Sequence, residues 1–156
     1  MTILPHVDAP IHLLASFAQV YPESASEFTL RVPGRALWIA GCRRADRQFR
    51  VASVELGGRT ALTYQSAKQR QTLNRRPLPA WAHYVAGMAI FLADKQVDCP
   101  GFNIVVAGDE GDAARYIYAL GAAFGTAYYH CAGIAAAEAT LMDDLEHVRR
   151  GYVNQS

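Results

Sequence analysis

Residues 108–115, Gly-Asp-Glu-Gly-Asp-Ala-Ala-Arg, separate the apolar run 102–107 from a long alanine-rich segment. Glycines at a strand-to-helix handover are what a phosphate cradle uses. The free N–H groups and the dipole of the helix start attract an anion, and the missing Cβ atoms let it come close. Here Asp109, Glu110 and Asp112 already bring carboxylates to that end. Asp112 reads as an N-cap, and its neighbours repel phosphate unless a cation intervenes. No Lys, Ser or Thr stands in the turn to hold phosphate or magnesium as in a P-loop. Gly108, Gly111 and Asp112 are therefore read as a capped helix start, with Arg115 the one group left to receive an anion. Clustered carboxylates suit a hard cation, yet such clusters are common without one, and no metal site is predicted.

Charge supplies a second candidate. The net charge is +1, but residues 31–76 carry eleven Lys and Arg against Asp46 and Glu55, a segment charge of +9, and the remainder of the chain is −8. Such a division marks an anion or nucleic-acid surface, two halves that attract each other across an oligomer contact, or a solvated sheet face. Cys42 precedes Arg43 and Arg44, which would lower a thiol pKa, but no base lies nearby in sequence and it is read as an ordinary thiol. His6, His12, His83, His130 and His147 show no metal-ligand spacing. The helical spacing of Trp81, Tyr84, Tyr116, Tyr118, Tyr128 and Tyr129 favours core packing over base stacking, so nucleic-acid binding would rest on the basic segment alone.

The elements that position these groups follow from periodicity. Residues 9–20 read as an amphipathic helix with Asp8 as N-cap and Pro10 in its first turn. Short strands flank Pro33-Gly34, residues 49–56 alternate as a half-buried strand, and Gly57-Gly58 turns the chain into the next strand. Residues 66–79 read as an exposed, mobile connector, 80–96 as a helix, and 102–107 as a buried strand. Two helices, from 112 to about 124 and from about 132 to 148, complete the chain. Strands first, then helices with one strand among them, indicate an α+β domain.

The 156 residues, 51% hydrophobic, fit one domain with a real core and exclude a disordered chain. Three cysteines without paired spacing suggest no disulfide framework, and a cytoplasmic location is expected. The start of the chain lacks the basic residues of a secretory signal. Residues 116–137 contain no Asp, Glu, Lys or Arg, but their Ala, Gly and Tyr content favours a pair of closely packed helices over a membrane span.

Four pieces together resemble the N-terminal part of a galactokinase, within the GHMP small-molecule kinase family: Val-Pro-Gly-Arg at 32–35, Trp-Ala-His-Tyr-Val-Ala-Gly at 81–87, Pro-Gly-Phe-Asn-Ile-Val-Val at 100–106, and the alanine-rich helix that follows. The resemblance runs collinearly over about residues 12 to 150. It implies an α+β sandwich in which a mixed, largely antiparallel sheet is backed by helices, and it makes Arg35 the one catalytic-type residue retained. The departures are equally specific. Where galactokinases carry the Gly-Glu-His-Thr-Asp run that contacts sugar, Gly41, Cys42, Arg43 and Arg44 stand, and only a one-residue insertion restores Asp46 to the aspartate position. The family's serine-rich ATP loop is replaced by residues 108–115. The catalytic aspartate has no counterpart, whether Glu146 sets the register or Asn154 in Gly-Tyr-Val-Asn-Gln takes its place.

These readings imply a degenerate, galactokinase-like single domain corresponding to the family's N-terminal half, with the second kinase domain absent. Its expected role is binding without catalysis, of a small anionic ligand or a protein partner, with Arg43, Arg44, Arg47 and Asp46 as the contact group. No cofactor is expected. A homodimer, or another protein, would cover the face that the second domain occupies in the kinases. The alternatives are a divergent sugar or metabolite kinase, completed by a partner chain and using MgATP, and nucleic-acid binding through residues 31–76.

Overall fold

In the computed structural model, which describes residues 12–155, five strands form one sheet in the order β1-β2-β5-β3-β4. They are β1 (Phe28–Arg31), β2 (Leu37–Arg43), β3 (Phe49–Ser53), β4 (Gly58–Leu62) and β5 (Phe102–Gly108). Only β3 and β5 pair in parallel, and the other three pairings are antiparallel. The sheet is thus mixed and largely antiparallel, as expected. The central strand β5 is buried along residues 102–107 because both faces are covered, and this is why it reads as an unbroken apolar run. Phe102, Ile104 and Val106 face the main core, while Val105 and Ala107 face α1 (Leu13–Val20) through Leu13 and Phe17. The proposed cap Asp8 and Pro10, like His6, lie outside the described residues.

The main core is closed by α2 (Tyr64–Lys68), α3 (His83–Asp94), α4 (Ala113–Cys131) and α5 (Glu138–Gly151). Several boundaries depart from the sequence expectation: β3 ends at Ser53, not residue 56, because residues 54–57 form the turn into β4, and the last helix starts at Glu138, not near 132. The segment 66–79 is no bare connector. Thr63 and Ser66 form a reciprocal capping box that starts α2, and Leu78 is buried. The helix expected over 80–96 begins as a 3₁₀ turn, Ala80–Ala82. The charge-free stretch is mainly one helix, not two. It runs through Gly125 to Cys131 and ends where Gly133, at φ 81°, lets the Ile134 N–H reach the Tyr129 carbonyl at 2.8 Å.

From Ala119 to Tyr129 that helix is apolar all round because it is buried all round, between the sheet, α3 and α5. Small residues permit the close approach. A Cβ on Gly121 would lie 2.9 Å from Tyr84 Cβ, and one on Gly87 would lie 2.4 Å from Val148 Cγ1. Tyr116, Tyr128 and Tyr129 are buried, with Tyr128 stacked on Phe49 at 5.5 Å between centroids. No helix among the described residues is long and apolar enough to cross a membrane.

Candidate functional site

The turn between β5 and α4 is closed by the chain's own carboxylates. The Gly108 N–H donates to Glu55 Oε1 at 2.8 Å, Gly111 N–H to Asp109 Oδ1 at 2.9 Å, and Arg115 N–H to Asp112 Oδ1 at 2.9 Å. Asp112 is the extended N-cap residue of α4. Gly108 has φ 144°, and a Cβ there would lie 2.1 Å from the Ala36 carbonyl, so the backbone of β2 fills the space behind it. Gly111 has φ 91° with open space around it, and Arg115 is exposed.

Glu110 turns the other way. Its Oε1 accepts from Arg35 Nη1 at 2.6 Å and its Oε2 from the Ala36 N–H at 3.3 Å. The Glu110 side chain is 7% exposed and that of Arg35 19%, and the guanidinium lies over the Tyr118 ring at 5.1 Å. Arg35 therefore meets an anion that already belongs to the protein. In the sequence Glu110 is one more acid beside the helix start. No local signal ties it to an arginine 75 positions earlier.

The second candidate group divides. Arg43, Arg44 and Asp46 share an open cavity of about 450 Å³ with Asn103. Asp46 takes Arg44 in a fork, with Arg44 Nε to Oδ1 at 3.0 Å and Nη2 to Oδ2 at 2.6 Å, and Arg44 Nη1 donates to Asn103 Oδ1 at 3.2 Å. These hydrogen bonds from Arg44 hold the Asp46 carboxyl down at about 2. Arg43 lies 5.9 Å from the Phe28 ring centroid. Arg47, with φ 60°, faces away to an exposed ion pair with Asp98 at 2.9 Å. Of the three arginines, two are brought together and one is placed apart, and both Arg44 and Arg47 have an acidic partner.

A third basic group was only part of the segment total in the sequence. Arg50 of β3, Arg59 of β4 and Arg76 of the following segment line one cleft of about 500 Å³ at the β4 edge. Cys42 is free and buried. Among the described residues, no group of three or more His, Cys, Asp or Glu is arranged to hold a metal ion.

No protein-family model matches this chain, and no curated protein matches its sequence. Among solved structures, the chain is similar to the galactokinase of Lactococcus lactis in complex with galactose, with a TM-score of 0.65 at 13% identity over 92% of this chain. The fold is therefore galactokinase-like. The match spans 42% of the galactokinase chain, less than half of that protein's length.

Proposed function

We propose that this chain is a non-catalytic relative of the galactokinases, of the GHMP type, that acts by binding a small anionic ligand or a protein partner. The observation that carries the reading is the filled turn. At the place where a phosphate would be received, the N–H groups of Gly108, Gly111 and Arg115 are bonded to Glu55, Asp109 and Asp112, and Arg35 is bonded to Glu110. Phosphoryl transfer depends almost wholly on positioning and charge stabilisation. Here a transferring phosphoryl group would have to displace four carboxylates and meet their repulsion.

The test is ADP release from MgATP in the presence of galactose and other hexoses, for the wild-type chain and for Arg35→Ala. The expected result is no release above the Arg35→Ala background. Release above it sinks the reading and favours a divergent kinase instead. A protein partner, a second copy included, is tested by the mass of the native protein in solution. A mass equal to that of one chain removes the homodimer.

A further inference from the structure

Five arginines are neutralised by acids of the same chain. Arg35 has Glu110, Arg44 has Asp46, Arg47 has Asp98, and Arg149 and Arg150 share Glu146. The cleft at the β4 edge differs, since three arginines line it and, among the described residues, no Asp or Glu does. Arg50 stands opposite Ala61 and Ala52 opposite Arg59 in the antiparallel register. The two arginines are therefore diagonal neighbours on one face of the sheet, where like charges destabilise. Their partners are neutral: Arg50 Nη2 donates to Gln48 Oε1 at 2.8 Å, and Arg59 Nη1 to the Val20 carbonyl at 3.5 Å. Among the described residues, Arg50 Nε is buried without a partner. Buried unpaired donors cost stability unless something supplied later accepts from them.

Arg76 completes the group from a segment that is fastened down. Leu73 N–H donates to the Ala61 carbonyl of β4 at 2.8 Å, Thr72 N–H to the Arg76 carbonyl at 2.8 Å, and Arg76 N–H to Thr72 Oγ1 at 3.3 Å. Gln71 and Pro77 form a bridge that closes the loop. The third charge is thus presented on a turn docked against the sheet edge.

We propose that this cleft binds a small phosphoryl-bearing metabolite, with Arg50, Arg59 and Arg76 on the phosphoryl group and Val20, Ala61 and Pro79 against its body. Three guanidinium groups suit a dianionic phosphoryl better than a single carboxylate, and their planar forks match its oxygens. A volume of about 500 Å³ is that of a small-molecule site. The three charges converge on one concavity, where a nucleic-acid surface would spread them along a track. The site names the ligand class for the binding reading above and rests on it.

Isothermal titration of the full chain with inorganic pyrophosphate at low ionic strength tests the assignment, with citrate as a carboxylate of similar charge. Saturable one-site binding of pyrophosphate is expected, with citrate weaker by about tenfold. Arg59→Gln and Arg76→Gln should each weaken pyrophosphate by about tenfold or more. Arg43→Gln and Arg47→Gln, at the other basic groups, should leave it unchanged. Among the described residues no hydrogen bond or ion pair engages the Arg76 side chain, its N–H alone being held by Thr72 Oγ1, so its replacement should leave the domain intact and keeps the test decisive. The assignment is overturned by no saturable binding up to about 10 mM, equal affinity in the Arg59 and Arg76 variants, or loss only in the Arg43 and Arg47 variants. Absent pyrophosphate binding without ADP release removes the cleft alone. ADP release with pyrophosphate binding intact removes the non-catalytic reading and leaves the cleft standing.

Discussion

Arg35 and Glu110, 75 residues apart in sequence, meet at 2.6 Å and join the start of β2 to the turn before α4. Glu110 also holds the Ala36 N–H, so one carboxylate fixes both a side chain and a strand end. Glu110→Gln keeps the shape but removes the charge from a nearly buried site. The expected loss is about 1–3 kcal/mol, read as a lower urea midpoint. In a double-mutant cycle with Arg35→Gln, the double variant should lose clearly less than the sum of the singles. Strict additivity would show that the two side chains do not act as a pair.

Asp144, 1% exposed on α5, accepts from Lys95 Nζ at 2.7 Å and from the Tyr129 hydroxyl at 2.6 Å. Asp144→Ala strands both partners and should cost about 3 kcal/mol. Tyr129→Phe leaves the Lys95 pair in place and should cost about 1 kcal/mol. Thermal denaturation of the two variants gives the comparison, and equal losses would remove the carboxylate as the organising group.

Two histidines make stability depend on pH. Burial, and then the charge of Arg70, holds the His83 imidazole below its ordinary 6.5, and burial with Arg43 does the same for His130, which lies on the Phe28 ring. Their protons bind more readily to the unfolded chain. Stability is therefore full above about 6.5 and falls as pH drops through that value, because the unfolded state then takes up more protons. Asp46, held near 2, stays ionised across this range and contributes nothing to the change. The melting temperature should drop between about pH 7.5 and 5.5, and His83→Gln with His130→Gln should flatten the drop. A slope unchanged in the double variant would assign it to other groups.

Cys99 and Cys131 are neighbours brought together by the fold. Hydrogen bonding between the thiols, together with burial, pushes Cys99 up, while the same contact and the charge of Arg43 bring Cys131 down. Cys99 and Cys42 are buried, and Cys131 is partly exposed. Iodoacetamide near neutral pH should therefore label Cys131 first, as mapped by peptide mass spectrometry. Earlier labelling of Cys42 would contradict this order.

Gly87 on α3 lies where a Cβ would press within 2.4 Å of Val148. Gly87→Ala should cost about 1–3 kcal/mol through overpacking. Adding Val148→Ala should recover part of that cost, measured as a double-variant loss smaller than the sum. Full additivity would place the strain elsewhere.

Local chemistry is what was legible beforehand. Asp112 was recognisable as a cap because its partner, the Arg115 N–H, is three residues on. The strand β5 was recognisable because six consecutive positions need burial on both faces. The capping box at Thr63 and Ser66 is just as local, but the surrounding charge and the two prolines give the segment the composition of a connector. Arg43, Arg44 and Arg47 looked alike on paper. Their difference lies in Asp46, two positions from Arg44, and Asp98, fifty-one from Arg47.

By itself the sequence determined the α+β order of elements, the cap on α4 and the excess of positive charge in residues 31–76, because each depends on neighbours along the chain. Only the tertiary structure decided which of those charges are already satisfied. An arginine's availability depends on what lies within a few ångströms, and here Arg35 finds an acid 75 residues away while Arg50 and Arg59 are diagonal neighbours on two strands with no acid among the described residues lining their cleft.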